Sequence, residues 1–383
     1  MDNELSGNLY LLDYKGNLDP SNLDVIRRHE AYGKAFRNFV LKVGKHSKIV
    51  ALGRYRSRDC PHSENLEVLN TGSSSSTIIY LIKCYRILNK NRSQQMGLIA
   101  GDPWVSTIIA LILRTALHKN VLLESQVHFD YSNYLKSQSL LKRKLLSCVT
   151  PLLLSRVNQI RVVDLNTLKL FESMFGNRFP IYFAPSILNL DSNFICPQRS
   201  EGEIVKLLWV GRIHAERNPI DFANLLNKLH ECRYPFKARI VGSGPLEAEL
   251  TSALLALKNA KIVEFVGEKF GAELFSEYCS ADILVSCAAH ESYGRTLREA
   301  LFFGAKVLSR QTSGFNLLES EVENHLIRSF CVNENPKDLI EKIDWLRVQK
   351  VSAVTRQLLV ENQQIILESL AMRWAYLLEP QLS

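Results

Sequence analysis

Short apolar runs alternate along this chain with longer segments in which apolar residues recur every three to four positions. The runs at 8–12 (NLYLL), 48–52 (KIVAL), 96–100 (MGLIA), 120–123 and 159–163 have the length of buried strands. Between them, 23–41, 77–88, 105–117 and two stretches within 134–156 read as helices, the first with Asn22 as a candidate cap. Residues 13–21 are turn-rich, and 71–76 form a polar break. Residues 189–203 are polar and aperiodic, contain Pro197, and are read as a linker. The alternation then restarts. Strands are predicted at 206–210, 238–241, 262–266, 283–286 and 306–309, and helices at 220–232, 246–257, 273–279 and 295–303. Residues 353–378 carry a last helical pattern. Strand–helix alternation argues for parallel sheets covered on both faces. The fold class is therefore α/β, with two doubly wound, Rossmann-like domains facing a cleft. Ligands of such sheets bind at the carboxyl ends of the strands, so the cleft is the expected site. No internal repeat is visible.

Composition narrows the class. The chain has 383 residues, 46% hydrophobic and 22% charged, which excludes disordered, collagen-like and low-complexity architectures. No apolar run reaches transmembrane length; the longest, 105–117, is too short and contains Arg114. The start, MDNE, is unlike a secretory signal. Eight cysteines with no C-x-x-C pair argue against zinc or dithiol chemistry, and free thiols in a reducing cytosol are expected.

Charge is uneven. Residues 1–190 carry 25 Lys/Arg and 14 Asp/Glu, and residues 191–383 carry 22 and 25, within a total of +8. A basic first half suits nucleic acid, an anionic membrane face or an acidic small substrate, and equally an ordinary soluble surface. The segment 136–161 sets Lys142-Arg143-Lys144 beside LLSCVTPLLLS. It reads either as a helix lying on a membrane surface or as a buried helix pair with a basic solvent edge.

Three motifs carry candidate chemistry, all in the second half. In LLWVGRIHAERN a strand ends at Gly211, and Arg212 and Arg217 follow five residues apart. Two guanidiniums so placed could clamp a diphosphate; the same spacing also suits two solvated arginines. In ARIVGSGP, Gly242, Gly244 and Pro245 make a tight turn at a strand end without the full dinucleotide fingerprint. In HESYGRTLRE, Glu291 and Glu299 are eight apart, which on one helix is two turns plus about 80°. They would not share a face. The better geometry puts Glu291 on a loop and Glu299 inside a helix starting near Gly294, whose first N–H groups (Gly294, Arg295, Thr296) point at an anion. An ordinary strand–loop–helix with surface glutamates fits the same letters.

Together these motifs resemble the donor-binding domain of glycosyltransferase family 4, the retaining group with the GT-B architecture. The resemblance covers about 204–315. It includes V-G-R with a basic residue five later, I-V-G-x-G-P, VEFVG at 263–267, A-D-I-x-V, the E-x7-E pair and EALFFGAKV. It implies that Arg212 and Arg217 bind a donor diphosphate, the second standing where the family usually has Lys. It implies that Glu299 binds ribose and that Glu291 faces the transferred sugar. Ser292, Tyr293, Gly294, Arg295 and Thr296 would give backbone contacts to sugar and phosphate, and the stretch from Gly267 to Phe270 would line the base. No metal is implied, and no D-x-D motif is present.

The first half matches less closely: only Lys15-Gly16-Asn17 stands where the family often has a Gly-Gly loop. Asp102-Pro103 and His128, at two successive strand ends, resemble the family's D-P…H region, which implies that His128 faces the reacting sugar. A half-buried loop histidine is the plainer alternative, and Arg28 and Glu30 are less specific candidates.

The expected domains are 1–190 for acceptor, 200–361 for donor, and 362–383 packing back on the first. The expected activity is a retaining hexosyl transfer from a UDP- or GDP-sugar to a glycan or lipid-linked acceptor. It would serve cell-surface polysaccharide or glycolipid synthesis, with no cofactor because the nucleotide-diphosphate sugar is a substrate. An anionic membrane surface is a candidate partner and nucleic acid is not; the expected location is cytoplasmic or on the inner face of a membrane. An epimerase of the same architecture and a non-catalytic nucleotide-sugar binding protein are the rival readings.

Overall fold

The structure, a computed structural model, describes residues 7–378 apart from 20–21, 43–46, 56–61, 73–75, 92–94, 118–120 and 198–201. Outside the described residues lie the acidic start, residues 20–21 of the turn-rich stretch and the middle of the polar break at 71–76. So do residue 120 of the strand expected at 120–123, part of the expected linker and the last five residues.

The chain divides into two compact units, residues 1–187 with 364–383, and residues 188–363. In the first unit, β1 (Gly7–Asp13), α1 (Leu23–Leu41), β2 (Ile49–Gly53), β3 (Leu66–Asn70), α2 (Thr77–Lys90), β4 (Gln95–Ala100) and α3 (Val105–Ala116) follow in order. Then come β5 (Leu122–Val127), α4 (Tyr131–Lys136), α5 (Leu140–Leu154), β6 (Gln159–Val162), α6 (Leu165–Phe175) and β7 (Ile181–Phe183). The sheet order is β3-β2-β1-β4-β5-β6-β7, parallel throughout. The strands are apolar on both sides because both faces are covered. One face packs on Tyr80, Cys84, Leu88, Ile109, Leu113, Leu154 and Phe171 from the helices that follow β3 to β6. The other packs on Ile26, Phe36 and Val40 of α1 and on Leu370, Trp374 and Leu377 from the end of the chain.

The second unit repeats the plan with β8 (Val205–Val210), α7 (Pro219–Glu231), β9 (Phe236–Val241), α8 (Glu247–Ala253), α9 (Leu255–Asn259), β10 (Val263–Gly267) and α10 (Ala272–Ser280). It continues with β11 (Ile283–Ser286), α11 (Arg295–Phe302), β12 (Lys306–Ser309), α12 (Ser313–Glu321), β13 (Ile327–Ser329) and α13 (Pro336–Arg347); α14 (Ala353–Tyr376) starts in this unit, and its residues from Gln364 on belong to the first. The parallel order of the second sheet is β10-β9-β8-β11-β12-β13. Winding reverses between β1 and β4 in one sheet and between β8 and β11 in the other. Those two crevices are the places where such sheets take ligands. Helix starts follow local chemistry: Asp130, Asp164 and Thr312 each accept from a backbone N–H in the first turn of α4, α6 and α12, the usual side-chain cap.

Several expectations are corrected. The helix expected at 246–257 breaks at Leu254, whose φ of −112° and ψ of 13° leave the helical region; Leu250, Leu254 and Leu257 are all buried, so packing bends the segment. Asn22 makes no side-chain cap; its amide donates to the Asn17 carbonyl instead. The strands β3, β7 and β13 and the helices α6, α12 and α13 were not marked by the pattern; β7 and β13 are only three residues long. The described part of the expected linker is fastened to the second unit. Phe194 packs edge-on against Phe275 and Phe303, and Cys196 is disulfide-bonded to Cys279 with Cα atoms 5.5 Å apart. That bridge overturns the free-thiol expectation for two cysteines, since a pairing across 83 residues leaves no local trace. Among the described residues no helix is long and apolar enough to cross a membrane.

Candidate functional site

The three motifs of the second half meet at the reversal point of the second sheet. Gly211 N–H donates to the Val241 carbonyl, Ile213 N–H to that of Ser243 and Gly242 N–H to that of Gly267, so the loops after β8, β9 and β10 are laced together. The glycines allow this approach. A Cβ on Gly242 would lie 1.9 Å from the Gly211 carbonyl oxygen, and one on Gly244 2.4 Å from that of Ile213, and both residues have positive φ. Pro245 is exposed at the end of this turn.

Arg212 and Arg217 leave this platform differently. Arg212 is 76% exposed and only loosely paired with Glu216 at 3.4 Å. Arg217 is the last residue of the turn Ala215–Arg217, and its Nη1 donates to Oε2 of Glu291, which lies on the loop after β11 with 13% of its side chain exposed. The structure thus brings together two of the residues singled out in the sequence.

The loop 290–294 is held from beneath. Gly314 N–H donates to the Glu291 carbonyl at 2.6 Å, and Ser313 Oγ to the same oxygen at 3.3 Å. A Cβ on Gly314 would sit 2.7 Å from both the Glu291 oxygen and the Gly294 nitrogen. Arg298 is fully buried; it donates to the Tyr293 carbonyl and to Glu321, and its guanidinium lies 3.9 Å from the centre of the buried Tyr293 ring. Gly294 takes φ 72° at the cap of α11, and Ser292, Arg295 and Thr296 are half-buried around it. Gly314 and Arg298 escape sequence reasoning because their roles depend on long-range packing.

Glu299 sits inside α11 and is 3% exposed. Its Oε1 accepts from Asn189 N–H at 3.0 Å and from Arg295 at 3.3 Å, and its Oε2 from Tyr278 hydroxyl at 3.2 Å. Beside that carboxylate, burial drives the Tyr278 phenol well above its ordinary pKa. A carboxylate offers about four acceptor positions, and three are taken. Phe270 stands 56% exposed on the loop that begins at Gly267, whose φ is 72°.

His128 lies in the first unit, directly after β5. The residue is exposed, and Nε2 is 2.9 Å from Gln126 Oε1. Desolvation around the ring lowers its pKa, and the charges of Arg161, His29, Arg28 and Lys15 add to the shift. Arg28 pairs with Asp24 at 3.2 Å, and Glu30 is half-buried on the same helix. In the loop after β1, Asp13 accepts from Asn17 and Leu18 N–H and from Tyr55 hydroxyl, while Gly16 takes φ 70° against the Arg54 carbonyl. Among the described residues no group of three or more His, Cys, Asp or Glu side chains is placed to hold a metal ion.

Comparison with known proteins fits this picture. Residues 197–361 match the family described as glycosyl transferases group 1. The chain is 26% identical over 163 residues to the sulfoquinovosyl transferase SQD2 of Arabidopsis thaliana; the match covers 42% of this chain and 30% of that protein, so the chain spans under a third of that relative's length. The apo lipopolysaccharide outer core galactosyltransferase WaaB is similar in fold, with TM-score 0.67 and 12% identity over 97% of this chain and 99% of that one. Anabaena HepE in complex with UDP and glucose is similar at TM-score 0.65 and 14% identity, over 96% and 98%. Residues 197–361 thus match the family model of the glycosyl transferases group 1, and the whole chain shares its α/β fold of two Rossmann-like units with these solved structures.

Proposed function

We propose that this protein is a retaining glycosyltransferase that moves a hexose-type sugar from a UDP- or GDP-sugar to a glycan or lipid-linked acceptor. The observation that carries the reading is the meeting of Arg217 and Glu291 at the carboxyl ends of β8 and β11, over a glycine-laced platform and before the start of α11. A diphosphate entering there takes the Arg217 guanidinium, with Arg212 folding in from solvent. Glu291, released from its partner, turns to hydroxyls of the sugar. The N–H groups at the start of α11 add the helix dipole. Charge on the departing diphosphate is thereby met by donors already in place, the kind of stabilisation that lowers a barrier most. Glu299 has room for one ribose hydroxyl beside its three donors, and Phe270 is available to stack on the base. That HepE is held with UDP supports a uridine donor.

The reading needs no resident cofactor. The acceptor attacks the face the diphosphate leaves, and the departing phosphate oxygen takes its proton. The second unit is the donor side and the first the acceptor side, with His128 as its contribution at the sugar. Exposed Leu140, Leu141, Leu145 and Leu152 of α5 flank Lys142, Arg143 and Lys144, and α3 beside it exposes Ile108 and Ile112. This suits a cytoplasmic protein resting on an anionic membrane face that carries a lipid-linked acceptor for polysaccharide or glycolipid synthesis.

The test is slow donor breakdown without acceptor. Incubated with UDP- and GDP-hexoses, the wild type should release nucleoside diphosphate and free sugar of retained anomeric configuration, followed by NMR, and Arg217→Ala should not. Conversion of the donor sugar with no nucleoside diphosphate released would replace transfer with epimerisation.

A further inference from the structure

Glu124, Gln126 and His128 alternate along β5 and its end, so their side chains leave the strand on one face. Glu124 is fully buried. Its Oε1 accepts from Gln126 Nε2 at 2.8 Å and Trp374 Nε1 at 3.0 Å; its Oε2 accepts from Gln159 Nε2 at 2.6 Å and Tyr182 hydroxyl at 2.6 Å. The indole can only donate. The Gln159 amide is oriented independently, because its nitrogen also donates to the Arg373 carbonyl at 3.1 Å. Four donors converge on this carboxylate, which fills its acceptor positions.

The consequence runs outward along the strand. Gln126 must turn its NH2 to Glu124, so its carbonyl oxygen is the atom facing His128 Nε2 at 2.9 Å. A carbonyl oxygen only accepts, so Nε2 must carry the proton. We propose that Glu124 and Gln126 are positioning residues that lock neutral His128 in the Nε2–H tautomer and leave Nδ1 as the acceptor for a hydroxyl of bound sugar. The tautomer follows from the bonds alone; its weight in turnover rests on His128 meeting the transferred sugar, as proposed above.

The test reads the tautomer directly. Long-range proton–nitrogen NMR of the full chain, with His128 assigned by its loss in His128→Asn, should show a protonated Nε2 and an unprotonated Nδ1. Glu124→Gln keeps the shape of the cluster but lets the Gln126 amide face either way, and Gln126→Leu removes the acceptor. Both should give mixed tautomers in a protein whose other backbone resonances are unchanged, with kcat for donor breakdown down about tenfold or more and donor KM unchanged. A wild-type His128 protonated on Nδ1, or a tautomer unmoved by both substitutions, overturns the proposal. Mixed tautomers with wild-type kcat would uphold the lock and remove His128 from the reaction.

Discussion

Arg217 donates to Glu291 across 74 residues of chain, so two groups suited to a sugar diphosphate hold each other when none is present. Arg217→Ala leaves the Glu291 carboxylate, mostly shielded from water, without its cation, and leaves the diphosphate without its clamp. kcat/KM should fall about a hundredfold or more. Arg217→Lys keeps the charge but not the planar fork, and should fall between. Steady-state kinetics of the three proteins check this, and equal values would remove Arg217 from the site.

Gly314 gives a second test, because it touches the loop and not the ligand. A methyl group there meets the Glu291 oxygen and the Gly294 nitrogen at 2.7 Å, so Gly314→Ala must push the loop outward. Stability should drop by about 1–3 kcal/mol, the usual cost of overpacking. Nucleotide affinity should drop by more than the variants of exposed Pro245 lose. Urea unfolding and nucleotide titration measure both effects; unchanged affinity would free the loop from the site.

His29 gives a pH prediction. It donates Nδ1–H to the Val25 carbonyl, and burial, with Arg28 and Arg161 adding, lowers its pKa from 6.5 to about 4. The unfolded chain therefore takes up the proton first. Stability should decline as pH falls from about 6.5 toward 4, by about 1.5 kcal/mol between pH 6.5 and 5. His128, also lowered, acts in the same direction. His29→Gln should flatten this slope in urea unfolding at several pH values; an unchanged slope would place the pH dependence elsewhere.

The second unit was the more legible half, for a physical reason. Gly242 and Gly244 are needed where loops cross at close range, and Gly211 supplies a φ of 155°; each lies beside a strand whose apolar run is plain in the sequence. Glu291 and Glu299 fall on opposite sides of the Gly294 cap, as their spacing requires. What stayed hidden depends on partners far along the chain. Glu299 is closed in by Asn189 and Tyr278, Glu124 by Tyr182 and Trp374, and Cys196 by Cys279. Phe194 and Cys196 turn a stretch that reads as linker into part of a core, because a single aromatic anchor has no period.

The exposed leucines of α5 predict membrane binding. In flotation assays the wild type should rise with anionic vesicles at low salt and not with neutral ones. Leu141→Asp with Leu145→Asp should abolish this while leaving donor breakdown intact. Leu141 is 81% exposed, so the substitutions cost the fold little. Failure of the wild type to float would remove the membrane from the account.

The central claim is that a nucleoside diphosphate binds at the reversal point of the second sheet. A thermal-shift titration with UDP, GDP and ADP on wild type and Arg217→Ala tests it most directly. Arg217 is the better probe than Glu299, whose carboxylate also holds Asn189 and Tyr278 in place. At a hundred times its Kd a ligand stabilises by about 2.7 kcal/mol, a visible shift. One nucleotide should raise the wild-type Tm and leave the variant unmoved. No shift with any nucleotide, or equal shifts in both proteins, would contradict the account.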